Sequence, residues 1–88
     1  MDKEILDGLK KNLNDIADIL YKGDTIEGIA HMSNVIPDIA TIASDMPDEE
    51  ARQEMIDNAL IPLLDAMEQE DGTLMADIIS YELIPLLD

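Results

Sequence analysis

Eighty-eight residues fit one small domain with a single modest core, and they leave no room for a catalytic domain with an added cofactor domain. Against 21 Asp and Glu stand five Lys and Arg, and this net charge of −16 excludes a phosphate-contacting nucleic-acid surface or an anionic membrane surface while leaving room for a basic partner. A hydrophobic content of 47% excludes disorder, and the lack of cysteine excludes a disulfide framework or a thiolate metal site.

The first helix is predicted from about Asp2 to Tyr21, where Leu6, Leu9, Leu13, Ile16 and Leu20 recur three and four apart on one face. Gly23 stops it. Asp24, with Glu27 three residues on, gives a capping-box pattern for a second helix that runs to about Ala43 through Pro37. Ser44, Asp45 and Pro47 punctuate the chain; Pro47 suits a first helical turn, and Asp48, Glu49 and Glu50 complement the helix dipole of a third helix reaching about Glu70. Asp71-Gly72-Thr73 makes a tight connection, and a fourth helix fills the remainder to Leu87.

Two identical hexapeptides stand out: Leu60-Ile61-Pro62-Leu63-Leu64-Asp65 and Leu83-Ile84-Pro85-Leu86-Leu87-Asp88, with a looser copy at Val35-Ile36-Pro37-Asp38-Ile39. Each places a proline inside an apolar helical segment, where it removes a donor and crowds the preceding turn, so a kink is expected. A shift of 48 residues lays Gly23-Asp24-Thr25-Ile26 over Asp71-Gly72-Thr73-Leu74 and Pro37 over Pro85. The expected fold is all-α: one domain over residues 1–88, an antiparallel four-helix bundle built from two proline-kinked helical hairpins, 1–44 and 47–88. On this alignment Pro37 and Pro85 are the corresponding prolines, and the identity of the two hexapeptides is partly coincidental.

Helix 1 carries a narrow apolar stripe, but helices 2 and 4 are apolar over wide arcs. Such helices need cover on more than one side, so a homodimer or a partner surface is expected there, with Met32, Val35, Ile36, Ile39, Ile42, Ile79, Tyr81, Leu83 and Leu86 as the candidate interface. The competing expectation is that the kinks rotate each helix's second half, so that one bent stripe looks like two. The six methionines suit an adaptable groove or plain core filling equally.

Catalytic and metal chemistry find little support. His31 is the only histidine, with Glu27 four residues before it rather than the three of a Glu-x-x-His bundle motif. The acidic runs lack EF-hand spacing, and Ser33, Ser44 and Ser80 have no histidine or cysteine system around them. No enzyme, no cofactor and no metal site are expected. No signal-peptide pattern and no bilayer-length apolar run occur, so a cytoplasmic protein without membrane or nucleic-acid contacts is expected.

Size, acidity and helical content resemble those of acyl carrier proteins, but the Asp-Ser-Leu carrier motif is missing: the serine contexts are Met32-Ser33-Asn34, Ala43-Ser44-Asp45 and Ile79-Ser80-Tyr81. The composition also looks like that of bacterial secretion and flagellar export chaperones, which implies binding of helical cargo in apolar grooves. Ala76-Asp77-Ile78-Ile79-Ser80-Tyr81-Glu82-Leu83-Ile84-Pro85-Leu86-Leu87 resembles the ending of a group of short, acidic, uncharacterised helical proteins from Gram-positive bacteria. The expectation that follows is a non-enzymatic protein-interaction module, a chaperone-like or adaptor bundle that holds a helical or basic segment against residues such as Ile36, Ile39, Leu83 and Leu86. The alternatives are a metal- or small-molecule-binding bundle using His31 and nearby acids, and an acidic mimic that occupies a DNA-binding protein.

Overall fold

The computed structural model of the chain describes residues 3–87; the expected helix start at Asp2, together with Met1 and Asp88, lies outside the described residues. Four helices account for nearly all of it. Helix α1 is Lys3–Tyr21 and buries Leu9, Leu13, Ile16, Ala17 and Leu20 along the predicted stripe. Its end is set by Gly23, whose φ of 93° lies in the left-handed region that favours glycine. There the Gly23 N–H donates to the Leu20 carbonyl at 3.0 Å and the Asp24 N–H to the Ile19 carbonyl at 3.2 Å, a Schellman closure.

Helix α2 is Thr25–Asp45 and runs through Pro37 without a break. Asp24 precedes it, but its side chain makes no capping hydrogen bond, so the predicted capping box does not form. Pro47 also differs from expectation: it falls before the third helix rather than in its first turn, and Asp48 caps that helix by accepting from the Glu50 N–H at 2.9 Å.

The third and fourth helices, α3 over residues 49–68 and α4 over residues 72–87, each contain a π turn. In α3, Glu49–Met55 leads into a π turn at Ile56–Leu60 and continues as Ile61–Glu68. In α4, Gly72–Ile78 leads into a π turn at Ile79–Leu83 and continues as Ile84–Leu87. Each widened turn comes just before a proline of the repeated hexapeptide. The Ile61 N–H reaches back five residues to the Ile56 carbonyl, and the Ile84 N–H likewise to Ile79. Pro62 and Pro85 therefore follow a turn that has already abandoned the α pattern, which eases the crowding a proline ring imposes on the carbonyl four residues earlier.

The helices pack antiparallel. α1 lies against both α2 and α4, α4 lies against the second half of α3, and the two π turns pack on each other. Both hairpin connections sit at one end, where Thr25 abuts Gly72. The shortest molecular dimension, 19 Å, is two helices thick. One apolar cluster fills the centre, and no polar or charged residue among the described ones is buried. Among the described residues no helix is long and apolar enough to cross a membrane.

Burial shows how the two hairpins correspond. Leu9, Leu13 and Ile16 of α1 match Met55, Ala59 and Leu63 of α3, and Gly28, Met32, Val35 and Ile39 of α2 match Met75, Ile79, Leu83 and Leu87 of α4. In each pair the second hairpin spends four residues where the first spends three, and that extra residue falls in the π turn. The 48-residue shift therefore holds only beyond the second π turn. At the start of α4 the offset is 47, with Asp71 standing where Asp24 stands. Pro37 therefore falls opposite Pro85, as the sequence alignment expected, but Pro37 sits in uninterrupted α-helix, whereas the two identical hexapeptides each follow a π turn and mark one structural device used twice.

Two outcomes follow for stability. Glu70 holds the position at the end of α3 that Gly23 holds at the end of α1, with φ of 53° and the same pair of closing hydrogen bonds. A non-glycine residue in that conformation costs about 1–2 kcal/mol, partly offset by the flexibility glycine adds to the unfolded chain, so Glu70→Gly is expected to stabilise by about 0.5–1 kcal/mol in chemical denaturation. At Gly28 an added Cβ would collide with the buried Leu20 side chain, while at Gly8 it would meet nothing. Gly28→Ala is expected to lower stability by about 1–3 kcal/mol despite its better helix propensity, and Gly8→Ala to raise it by about 0.5–1 kcal/mol.

Candidate functional site

Six of the nine residues picked out as an interface are covered by the chain itself. Met32, Ile39, Ile79 and Leu83 are fully buried, and Val35 and Ile42 are nearly so. Ile36 and Leu86 are half-buried against the core, and only Tyr81, 73% exposed, stands out in solvent. The correction has a physical cause. In α4 the π turn rotates the second half of the helix, so Met75, Ile79, Leu83 and Leu87 share one buried line that a regular wheel spreads over a wide arc. In α2, Met32, Val35, Ile39 and Ile42 form the single covered stripe, and Ile26 is left 81% exposed. The chain thus closes one stripe on each of these helices, while on α2 Ile26, Ala30 and Ala40 stay exposed.

The candidate metal ligands do not assemble. His31 is exposed, with its Nε2 3.7 Å from Glu27 Oε1, and no group of three His, Asp or Glu side chains among the described residues is placed to hold a metal ion. A groove of about 420 Å³ runs beside His31 between α1 and α2, with Ile16, Ile19 and Val35 among Asn12, Asp15 and Asn34. At the far end of the bundle Leu6, Ile42, Met46, Pro47, Leu86 and Leu87 enclose a small apolar hollow of about 230 Å³, with Asp45 on its rim.

An extended concave surface lies on the outer side of α3 and α4. It is a groove of about 710 Å³ with an apolar floor of Pro62, Leu74 and Ile78 and with Asp57, Asn58, Asp65, Gln69 and Glu82 as its walls. An adjoining hollow of about 280 Å³ shares Leu74, Ile78 and Glu82 and adds Asp77 and Tyr81. Leu74, Ile78 and Tyr81 are four and three residues apart, so α4 places them on one face. Asp57 Oδ1 accepts from the Gln53 Nε2 at 3.0 Å, which fixes the carboxylate at one edge. Of this surface only Tyr81 belonged to the interface expected from the sequence; the doubled hexapeptide, which puts Pro62 on the floor, was the available signal.

Beside this face Tyr21, at the end of α1, donates to Asp77 Oδ1 at 2.7 Å and ties the first hairpin to the second. The hydrogen bond to a carboxylate stabilises the neutral phenol and raises its pKa above the ordinary tyrosine value, with burial adding in the same direction and Ser80 opposing.

A family model described as a domain of unknown function, DUF8042, matches residues 3–88. The chain belongs to the DUF8042 family. The DUF8042 match takes in both hairpins and both π turns, and the family's description assigns no activity. No curated protein and no solved structure matches the chain.

The tyrosine tether has a measurable consequence. Its folded pKa is raised, so its stabilisation is fully present below the ordinary tyrosine pKa and is lost as pH rises through the elevated value. In a Tyr81→Phe background, where Tyr21 is the only tyrosine, phenolate absorbance is expected to appear above the ordinary tyrosine range, and Asp77→Asn to bring it down.

Proposed function

We propose that this protein is a non-enzymatic protein-interaction module, a chaperone-like or adaptor bundle, whose working surface is the outer groove of α3 and α4. The observation that carries this reading is the composition of that groove: an apolar floor of Pro62, Leu74 and Ile78 between the carboxylates of Asp57, Asp65 and Glu82. Apolar residues flanked by one sign of charge suit an amphipathic segment of opposite charge, with the floor supplying affinity and the rim supplying orientation and encounter rate.

Charge also selects against self-association at this face. Residues 45–88 carry thirteen acids against Arg52 alone, so a second copy presenting the same hairpin would meet like charge at close range. A basic helical segment from another protein relieves that repulsion. The apolar hollow at the bundle's far end is about a third of the groove's volume.

The test is titration of an amphipathic helical peptide, leucine on one face and lysine and arginine on the other, followed by calorimetry. Leu74→Glu is expected to weaken binding at least tenfold, about 1.4 kcal/mol. Ile5→Glu, at an exposed apolar position in the first turns of α1, is expected to leave it unchanged. Both sites are exposed, so neither change moves stability by more than about 0.5 kcal/mol. Equal losses in the two variants, or affinity indifferent to salt, would count against a charged groove.

A further inference from the structure

The outer face of α2 carries no charge, in a chain where 30% of the residues are charged. Opposite its covered stripe, Ile26, Ile29, Ala30, Ile36, Pro37 and Ala40 share about 120° of the helix circumference, with Ser33 at their centre. Ile26, Ala30, Ser33, Pro37 and Ala40 are exposed, while Ile29 and Ile36 are half-buried and held from beneath by the core. The acids of α2, Glu27, Asp38 and Asp45, all fall in the sector of His31 and Asn34, which line the groove toward α1. Ser33 Oγ donates to the Ile29 carbonyl at 2.9 Å, so the hydroxyl hydrogen at the centre of the face is already spent. By contrast, α1 exposes Asp7, Lys11 and Asp15, and α3 exposes Asp57 and Asp65.

The spacing of this face is symmetric about Ser33. Ile26 and Ala40 lie seven residues on either side of it, Ile29 and Pro37 four, and Ala30 and Ile36 three. Two copies laid antiparallel with their Ser33 residues opposed therefore set each isoleucine against a smaller residue: Ile26 against Ala40, Ile29 against Pro37, and Ile36 against Ala30. A face that complements itself under a two-fold rotation meets the requirement of an isologous dimer, and large residues facing small ones let two helices interdigitate.

We infer that the outer face of α2 is a homodimer surface, on which a second copy of this chain seats antiparallel across Ser33. Charge selects this occupant as well as shape does. A cationic segment finds its carboxylates at the groove of α3 and α4 and none on this arc. A second copy is repelled wherever acids would oppose acids, and here it meets neutral residues instead. The dimer uses a different face from the interaction reading above and stands or falls apart from it.

The test is sedimentation equilibrium of the full chain at concentrations from about 10 μM to about 1 mM. One helix face makes a small interface, so half-dimerisation is expected on the order of 100 μM. Added salt is expected to move that point to lower concentration, because screening relieves the repulsion between two chains of net −16. Ser33→Glu, which opposes two carboxylates on the two-fold axis, is expected to weaken association at least tenfold, and Ile5→Glu, the same kind of change on an exposed part of α1, to leave it unaltered. Ile26→Lys alone is expected to weaken association, and the double change Ile26→Lys with Ala40→Glu to recover it, because the antiparallel register brings these positions together. All the substituted positions are exposed, and thermal unfolding of each variant checks that the fold is kept. A chain that stays monomeric throughout at every salt concentration would overturn the dimer while leaving peptide binding at the groove untouched. A dimer that survives Ser33→Glu, or that weakens with salt, would overturn it too, as would failure of the double change to recover what Ile26→Lys loses.

Discussion

A helix that passes through a proline gives up a hydrogen bond, and the architecture here depends on doing so without losing the alignment of its buried residues. An α-helix has 3.6 residues per turn, so apolar residues spaced strictly by four drift around it by about 40° at each step. α3 and α4 nevertheless bury Met55, Ala59 and Leu63, and Ile79, Leu83 and Leu87, at four-residue intervals. A π turn is wider than an α turn and absorbs that drift. The widened turn thus meets two demands at once: it makes room before Pro62 and Pro85, and it keeps the second half of each helix facing the core. Because the two π turns also pack on each other, the adjustment in one helix faces the matching adjustment in its neighbour.

Much of the fold was legible because local chemistry sets it. The stripe on α1 and the stop at Gly23 follow from spacing and backbone preference, and the structure places them where those rules do; α4 instead begins at Gly72, inside the connection expected over Asp71-Gly72-Thr73, because Asp71 caps it by accepting from the Leu74 N–H. The identity of the buried residues on α4 was not legible from a regular wheel, because a wheel assumes one pitch and a one-residue insertion changes the pitch midway. The same insertion explains why a single repeat offset misled. An offset of 48 fits Pro37 and Pro85 but misplaces the turn, where Asp24 and Asp71 are 47 apart. The candidate interface on α2 and α4 inherited this error, and most of it turned out to be core. Asp24 illustrates a smaller limit: its spacing to Glu27 is that of a capping box, yet the Asp24 side chain makes no capping bond once the Schellman closure has set the local backbone.

The charge distribution separates the two halves in composition. The lysines Lys10 and Lys11 sit beside Asp7 and Asp15 on α1, at 3.8 and 3.2 Å, so the first hairpin balances part of its own charge. Exposed pairs of this kind contribute little stability. The second hairpin has only Arg52 to set against its acids, and with no charged residue buried among the described ones, those acids lie on or near the surface. Such a face carries a standing repulsion that a cationic partner removes, and that gain is available only where apolar contact holds the partner in place. The groove over Pro62, Leu74 and Ile78 is where both conditions meet.

Architecture and surface then share one cause. Had α3 continued as a regular helix, the residues beyond Ile56 would drift out of line with the core and Pro62 would crowd the carbonyl four residues before it. The Ile56–Leu60 turn is anchored on its inner side by fully buried Ala59 and followed by fully buried Leu63, while Asp57, Asn58 and Pro62 line the outer groove. The widened turn that lets a proline-bearing helix keep its buried stripe is therefore the same one that sets Pro62 beside Asp57, Asn58 and Asp65 on the outer face.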